Sequence, residues 1–447
     1  GDSLTYRYLA ERLTQGSFPS IFRTPGYPLF LMLTGGFPQS SIVPTLLAQM
    51  ILDSLTAVML AAIAQRLAHD SVAALIAGLG WAFCTTAIVS SAWVMTETLT
   101  VFLIVAALYT ALQPLSVKMA LAQSLLWAAA VLTRPSAIAI PLIVTPLLVA
   151  LNNQRVKQNK EQDGQPQDVE HPDAQRIESV KNYGWRIRGA AISGGGRRWR
   201  HQLQVLTVYA FLLSGWICAN GVRTGWFGFS SLRDVSMYMY ELPAVHMLDK
   251  LGWSGFTQVV PGLWLSGLYP NFESRMMFRK ERKAFLNEVY KGHPPEGQFA
   301  GWFTAEDPTT ARWLRAEAER RMRGKLTQRI QIHLYGAVLT MMPISYAPWL
   351  AQSISWISLD GLRLGLLLPL GFVILLWRRQ WLFLTVAALW LAYTLLLPGV
   401  LGHWRHRCVA EPAITLVLAI GLAPLWSLIR QRLAMRGTMN SRRAAPA

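Results

Sequence analysis

Nine apolar runs, each about long enough to cross a lipid bilayer, constrain this sequence more than any other feature. A membrane-spanning helix needs about 20 predominantly apolar residues. The runs cover residues 42–64, 71–91, 93–112, 118–133, 135–151, 203–221, 361–377, 381–398 and 411–430. A tenth apolar stretch, 331–351, is ambiguous. The sequence therefore predicts an all-α polytopic membrane protein and disfavours a cytosolic enzyme, a disordered tail protein and a fibrous chain.

Composition supports the membrane interpretation and argues against a nucleic-acid partner. Charged residues make up 15% of the chain, against about 25% in soluble domains. The charged residues are nevertheless mostly basic, with 42 Lys and Arg against 24 Asp and Glu. These basic residues are scattered between apolar runs, so we expect them to mark the cytoplasmic side and to meet membrane lipids. The three cysteines lie far apart and indicate neither a disulfide framework nor a zinc site.

The positive-inside rule predicts the sidedness of each segment. Segment 152–202, with ten Lys and Arg against six acids, is expected to be a cytoplasmic, disordered linker, and the acid-free tail 431–447 is also expected inside. Residues 42–151, 203–221 and 361–430 then hold the spanning helices. Segments 1–41 and 222–360 are expected outside, and either a further spanning helix or a cleaved signal peptide is expected before residue 1. The predicted location is a bacterial inner or plasma membrane, with the site on the periplasmic or outer face.

The outer segment 222–360 is predicted to form amphipathic and interfacial helices. Residues 273–291 form one candidate helix, and a second begins near Asp307-Pro308, an N-cap residue followed by proline. Stretch 331–351 is interpreted as an interfacial helix, because a crossing there would place Arg378-Arg379 on the wrong side. Such helices suit a surface of anionic headgroups.

Ionisable residues at a membrane are functional candidates, and nearly all of them fall on the predicted outer side. They are Asp2, Arg23, Glu97, Arg134, His403, Arg405, His406 and Arg407. Structural roles remain open for several: Arg134 snorkelling to headgroups, or Glu97 favouring its helix start. Asp53 lies in the middle of a run, and we expect it to be structural, hydrogen-bonded near Ser54 or Thr56.

Four stretches carry an ordered set of motifs. The first combines Asp2, Tyr6 and Ala10-Glu11-Arg12-Leu13 with Arg23-Thr24-Pro25-Gly26-Tyr27-Pro28. The other three are Met95-Thr96-Glu97-Thr98-Leu99, Leu132-Thr133-Arg134-Pro135 and Arg405-His406-Arg407-Cys408-Val409-Ala410-Glu411-Pro412. Together they resemble the GT-C glycosyltransferases, and within them the family-39 group of protein O-mannosyltransferases and the lipid A aminoarabinose transferase. Cys408 departs from the aromatic residue that is usual in the last motif.

The resemblance implies a GT-C-type helix bundle that moves a sugar from a polyprenyl-phosphate donor to an acceptor hydroxyl on a glycan, lipid or protein. It implies inversion, with Asp2 as general base and Glu97 as a second catalytic residue. Arg23, Arg134, Arg405 and Arg407 would bind the donor phosphate, and Tyr6, Tyr27 and His403 the substrate. Pro25-Gly26 would form a type II turn, and helix 331–351 would line the prenyl chain. No cytosolic nucleotide site is needed, no particular cofactor is indicated, and a divalent metal remains open.

Two other functions stay open. A transporter or flippase for a lipid-linked or anionic substrate would also use Asp53 and outer arginines, although no internal repeat is visible. An envelope scaffold would use the amphipathic outer region and would need neither Asp2 nor the arginines.

Overall fold

The computed structural model describes residues 2–18, 20–114, 116–150, 196–259, 308–341, 360–397 and 404–443, and these are helical with short connections. Four helices among them are long and apolar enough to cross a membrane. They are Val43–Ala68, Trp199–Thr224, Asp360–Trp377 and Glu411–Ile429. A fifth is the bent pair Ser71–Ala82 and Thr85–Ser91, which turns by 50° at its break. The protein is thus an all-α, multi-span membrane protein, as the apolar runs predict.

The helices are numbered here in chain order. The first eight are α1 Asp2–Thr14, α2 Gly26–Leu33, α3 Val43–Ala68, α4 Ser71–Ala82, α5 Thr85–Ser91, α6 Thr96–Ala111, α7 Val117–Thr133 and α8 Pro135–Ala150. Next come α9 Gly196–Thr224, α10 Leu242–Val259, α11 Pro308–Arg321 and α12 Leu326–Met341. The last four are α13 Asp360–Trp377, α14 Trp381–Leu396, α15 Trp404–Arg407 and α16 Glu411–Arg443. Every one of the nine predicted apolar runs corresponds to a helix or to the bent pair.

Local sequence signals explain where several helices begin and end. The Asp70 side chain caps α4 by accepting a hydrogen bond of 2.8 Å from the Val72 amide. Ser116 caps α7 in the same way through the Met119 amide. α11 begins at Pro308, as the Asp307-Pro308 signal predicts. The predicted helix 273–291 and most of the 152–202 linker lie outside the described residues.

The helix bundle packs around a core formed by α3, α4, α6, α7, α13 and α16. Helices α13 and α16 cross with their backbones in close contact. A Cβ added at Gly421 would lie 2.7 Å from both the Cα and the carbonyl oxygen of Gly371. Small residues at such a crossing let two backbones touch, which is how membrane helices gain packing contacts without a hydrophobic driving force.

A second, smaller core joins α10, α11 and α12 to the connection between α1 and α2, here called the first loop. Phe22 packs there with Tyr238 and Phe256, and α11 and α12 contribute Leu314 and Ile332. The predicted interfacial stretch 331–351 is helical as far as Met341, as part of α12, and its remainder lies outside the described residues. This cluster brings residues 20–23 against the segment that follows α9, where Ser231 N donates to Ile21 O.

The His333 and Arg329 side chains of helix α12 contact the Glu241 carboxylate, and His333 also contacts the end of α14. His333 Nε2 lies 3.4 Å from Glu241 Oε1, and Nδ1 lies 2.7 Å from the Leu396 carbonyl oxygen. Arg329 Nε donates to the same Glu241 oxygen over 2.7 Å. The hydrogen bond to Glu241 raises the pKa of His333 above its usual value, although burial opposes the shift. Burial favours protonation of Glu241, yet hydrogen bonds from His333 and Arg329 lower the pKa of that carboxyl.

We predict that Gly421→Ala lowers the stability of the folded bundle by about 1–3 kcal/mol, because the added methyl meets the Gly371 backbone. Thermal unfolding in detergent would measure the loss. Gly215→Ala is the matched control, since a Cβ at Gly215 in α9 has no neighbour within 4 Å. Equal stability of the two variants would contradict a tight crossing.

We also predict that His333 stabilises the protein at acidic more than at alkaline pH. Both ring nitrogens face oxygen acceptors, so both bonds need the protonated imidazole. Because the folded pKa is raised, the stabilisation is complete below the unfolded value of about 6.5 and is lost as pH rises through the folded value. The stability difference between wild type and His333→Gln should therefore shrink between about pH 6 and about pH 9. A constant difference would refute this.

Candidate functional site

A buried ion pair lies at the start of α6. Arg134 Nη1 lies 2.9 Å from Glu97 Oε1, and the two side chains are 13% and 1% exposed. Glu97 occupies the first turn of α6, and Arg134 follows the last residue of α7 in an extended conformation. The pair therefore joins two predicted motifs at one end of the bundle. A carboxylate this deeply buried requires such a partner, because an unpaired charge in a low-dielectric interior is costly.

Arg134 makes three further side-chain contacts, to the neighbouring Ser136, to Thr96 beside Glu97, and to the distant His406. Nη2 lies 3.1 Å from His406 Nδ1, Nη1 donates to Thr96 Oγ1 over 3.1 Å, and Nε donates to Ser136 Oγ over 3.2 Å. His406 belongs to the last motif, 272 residues away in sequence. The planar guanidinium thus holds three of the four motif regions together.

The first loop joins this arrangement through a close backbone approach. A Cβ at Gly26 would lie 2.7 Å from the Leu132 carbonyl carbon and from the Thr133 amide nitrogen, so only glycine fits there. The type II turn predicted at Pro25-Gly26 is wrong: Pro25 is α-helical, at φ −78° and ψ −14°, and Gly26 begins α2. Glycine is needed here for the close approach to α7 rather than for a turn.

The predicted substrate residues Tyr6 and Tyr27 lie in contact on this loop. Their rings meet edge to face with centroids 5.2 Å apart. Arg23 Nη1 donates to the Tyr6 hydroxyl over 3.0 Å, and its guanidinium carbon lies 4.8 Å from the Tyr6 ring centre. Tyr27 is buried and donates to Gln49 Oε1 over 2.7 Å. These contacts fix Arg23 and Tyr6 as one unit.

Arg407 lies in a separate buried network of two arginines and two carboxylates. Its Nε donates to Glu411 Oε1 over 2.7 Å, and Nη2 donates to Asp360 Oδ2 and to Thr86 Oγ1. Arg363 Nη2 contacts the other oxygen of each carboxylate, at 2.7 Å for Glu411 and 3.1 Å for Asp360. Arg407 itself is 1% exposed. We call Asp360, Arg363, Arg407 and Glu411 the buried quartet.

A small void, with room for about one water molecule, lies between Glu97 and Glu411 of the buried quartet. Its polar lining comes from α3, α5, α6 and α16 with the turn before it, and consists of Asp53, Thr86, Ser90, Glu97, Thr98, Cys408 and Glu411. We call this void the inner cavity. The expectation that Asp53 bonds near Ser54 or Thr56 is wrong, because Trp81 Nε1 donates to Asp53 Oδ1 over 2.9 Å. Ser54 and Thr56 instead donate to backbone carbonyls one helical turn earlier.

The remaining predicted residues are only partly described. Asp2 lies in the first turn of α1 and Arg405 in α15, but the side chains of both fall outside the described part, as does His403 entirely. Their roles stay predictions, as do those of Glu97, Arg23, Arg134 and Arg407. Within the described ranges, no group of three His, Cys, Asp or Glu side chains is placed to hold a metal ion.

Sequence reasoning missed the acidic half of the buried quartet and its second arginine. Asp360 and Arg363 lie at the start of an apolar run, and Glu411 lies in the last motif, just before Pro412. A charge at the edge of an apolar run was the available signal, but nothing local indicates that these residues meet Arg407. Gln49 was also missed, although it anchors Tyr27 and donates to the Ser91 and Trp93 carbonyls.

Comparisons with known proteins add one structural similarity. No family model and no curated protein matches this chain. A crystal structure of ArnT from Cupriavidus metallidurans bound to undecaprenyl phosphate is 14% identical, and the match covers 95% of this chain and 72% of that one with a TM-score of 0.33. No residue role in this chain rests on that similarity.

We predict that Arg134→Met lowers stability by about 3–5 kcal/mol, because it leaves the buried Glu97 carboxylate without its cation. The double variant Arg134→Met/Glu97→Gln should be more stable than the single one, since no buried charge is then left unpaired. Denaturation in detergent measures both. Arg312→Met, on the exposed face of α11, is the control and should change stability by less than about 0.5 kcal/mol. A double variant as unstable as the single one would contradict the pairing.

Proposed function

We propose that this protein is a membrane glycosyltransferase that transfers a sugar from a polyprenyl-phosphate donor to an acceptor hydroxyl on the extracytoplasmic side. The observation that carries the proposal is the convergence of motif residues. Glu97, Arg134 and His406 are in contact, and Gly26 packs against the residues before Arg134. Motifs that only marked the ends of separate helices would not be expected to contact one another at one end of the bundle.

The cations in this proposal divide into two roles. Arg134 is 13% exposed and pairs with one carboxylate, and the half-buried Arg23 donates to the Tyr6 hydroxyl, so each guanidinium is proposed to bind the donor phosphate. Arg405 is proposed to join them. Arg407 is 1% exposed and is held by two carboxylates, so its contacts support a positioning role: it holds the segment that carries Arg405 and His406 against the bundle.

The proposed reaction is a direct displacement at the sugar. The Asp2 carboxylate takes the proton from the acceptor hydroxyl, and the resulting oxygen forms a bond to the anomeric carbon. The bond from that carbon to the donor phosphate breaks, its electron pair stays on the leaving polyprenyl phosphate, and the configuration inverts. Negative charge grows on the phosphate in the transition state, where preorganised guanidinium groups stabilise it. Glu97 is proposed to orient Arg134 through their ion pair.

We predict that Asp2→Asn in the full-length protein lowers transfer by at least about 100-fold, the usual contribution of a general base. Cells lacking the gene should accumulate a polyprenyl-phosphate sugar, measurable by mass spectrometry of lipid extracts. Wild type should clear it, and Asp2→Asn should not. Glu11→Gln, an acid on the same helix, is the matched control and should clear it as wild type does. Full clearance by Asp2→Asn would disprove the base assignment.

One observation favours the alternative function, a transporter or flippase. Helices α4 and α5 form a broken pair, and Trp81, just before the break, holds Asp53 within a span. Broken helices and intramembrane carboxylates are typical of transporters. Purified protein in vesicles separates the two functions, because a flippase moves a lipid-linked sugar across the bilayer without altering it, and a transferase consumes it.

A further inference from the structure

We propose that Asp53 is a proton-binding site on the inner cavity, and that water in this cavity joins it to Glu97. The proposal does not depend on which function the protein has. In a transferase it gives the candidate site a buried group with which to exchange protons, and in a transporter it gives a coupling site. Its test needs no turnover, so its failure and the failure of the proposed transferase activity are distinguishable.

The first argument is the charge balance around the inner cavity. Three carboxylates line it, from three different helices: Asp53, Glu97 and Glu411. Glu97 is paired with Arg134, and Glu411 is paired with both arginines of the buried quartet. The buried quartet contains two cations and two anions, so it is neutral as a unit.

Asp53 differs from the other two carboxylates. Within the described residues, its hydrogen-bond partner is the neutral Trp81 indole, and no cation lies within ion-pair distance. Asp53 is half-buried in the middle of the spanning helix α3. An unpaired carboxylate at such a place is costly, and binding a monovalent cation removes the cost. A proton needs no coordination shell, which fits a site where the described side chains form no metal-binding group.

The second argument is a buried hydroxyl that lacks a partner. Thr98 is 4% exposed and lines the inner cavity, and its Oγ1 makes no hydrogen bond in the described structure. Buried hydroxyls nearly always have a partner, and water supplies it where a cavity is polar and large enough. Ser90 and Thr86 add two more hydroxyls to the lining. The inner cavity therefore has room for about one ordered water molecule.

The groups that face Asp53 come from every helix packed against α3. Helix α6 contributes Glu97, and α16 with the turn before it contributes Glu411 and Cys408. Helices α4 and α5 contribute Trp81 and hydroxyl or apolar side chains to the lining, none of which is titratable at neutral pH. Glu97 and Glu411 are each neutralised by arginine, so Asp53 is the lining carboxylate left to change its charge.

Labelling with dicyclohexylcarbodiimide tests the proposal on the full-length protein in lipid nanodiscs. This reagent adds to protonated carboxyls in apolar surroundings, and peptide mass spectrometry locates the adduct. We expect Asp53 to be labelled at about pH 6, with labelling reduced at least about fivefold by about pH 9. Asp70, which caps α4 and accepts a hydrogen bond from Val72 N, is the control within the same chain and should stay unlabelled.

Variants test the two contacts separately. Trp81→Phe removes the N–H donor that favours ionised Asp53, so the labelling midpoint should move to higher pH. Glu97→Gln leaves Arg134 with unopposed charge at the same cavity, so the midpoint should move to lower pH. Glu241→Gln, in the outer region, should leave it unchanged. An unmoved midpoint in Glu97→Gln would overturn the link to the candidate site.

Two other results would overturn the assignment itself. Absence of Asp53 labelling, or labelling that does not change with pH, would mean that Asp53 does not exchange a proton in this range. Protection of Asp53 at constant pH when Na⁺ replaces K⁺ would assign the site to sodium instead.

Discussion

The pairing of buried charges at one end of the helix bundle is the constraint on which the rest of the structure depends. Arg134 is held by Glu97, by the neighbouring Ser136 and by His406 from the last motif. Arg407 is held by Asp360 and Glu411. In a low-dielectric interior, a single unpaired partner would cost several kcal/mol. Each arginine can therefore occupy only the place where its carboxylate lies, and this fixes the ends of α6, α7, α13 and α16 relative to one another.

Close backbone contacts, in addition to the ion pairs, hold these segments together. Gly26 lets the first loop touch the end of α7, and Gly421 lets α16 touch Gly371 of α13. Both contacts need a residue without a Cβ, because the neighbouring atoms are backbone and cannot move aside. The first loop thereby brings Tyr6 and Arg23 to the end of the bundle that also carries Arg134. A candidate site assembled in this way is held by packing and charge together.

Much of the fold follows from the sequence, and the site follows only in part. All nine apolar runs are helices or a bent pair, because hydropathy over about 20 residues is a local property. The structure brings Glu97, Arg134 and His406, from three of the motifs, into contact, and their proposed roles stay predictions. The interpretation of Pro25-Gly26 was wrong, because two residues that suit a turn also suit a helix start. The partner of Asp53 was wrong too, because Trp81 lies on the next helix rather than within reach along α3.

The sequence by itself determined that this chain is helical and belongs in a membrane, since composition and apolar run length are read without knowing any contact. Only the tertiary structure decided which charged side chains pair with one another and which remain available for function. Arg407 reaches Thr86 across 321 residues of sequence, and Arg134 reaches His406 across 272. A local sequence pattern cannot predict such a contact, because an ion pair depends on distance in space and on the exclusion of water. Only the packed bundle shows Arg407 to be fully paired and Asp53 to be, among the described carboxylates that line the inner cavity, the one without a cation.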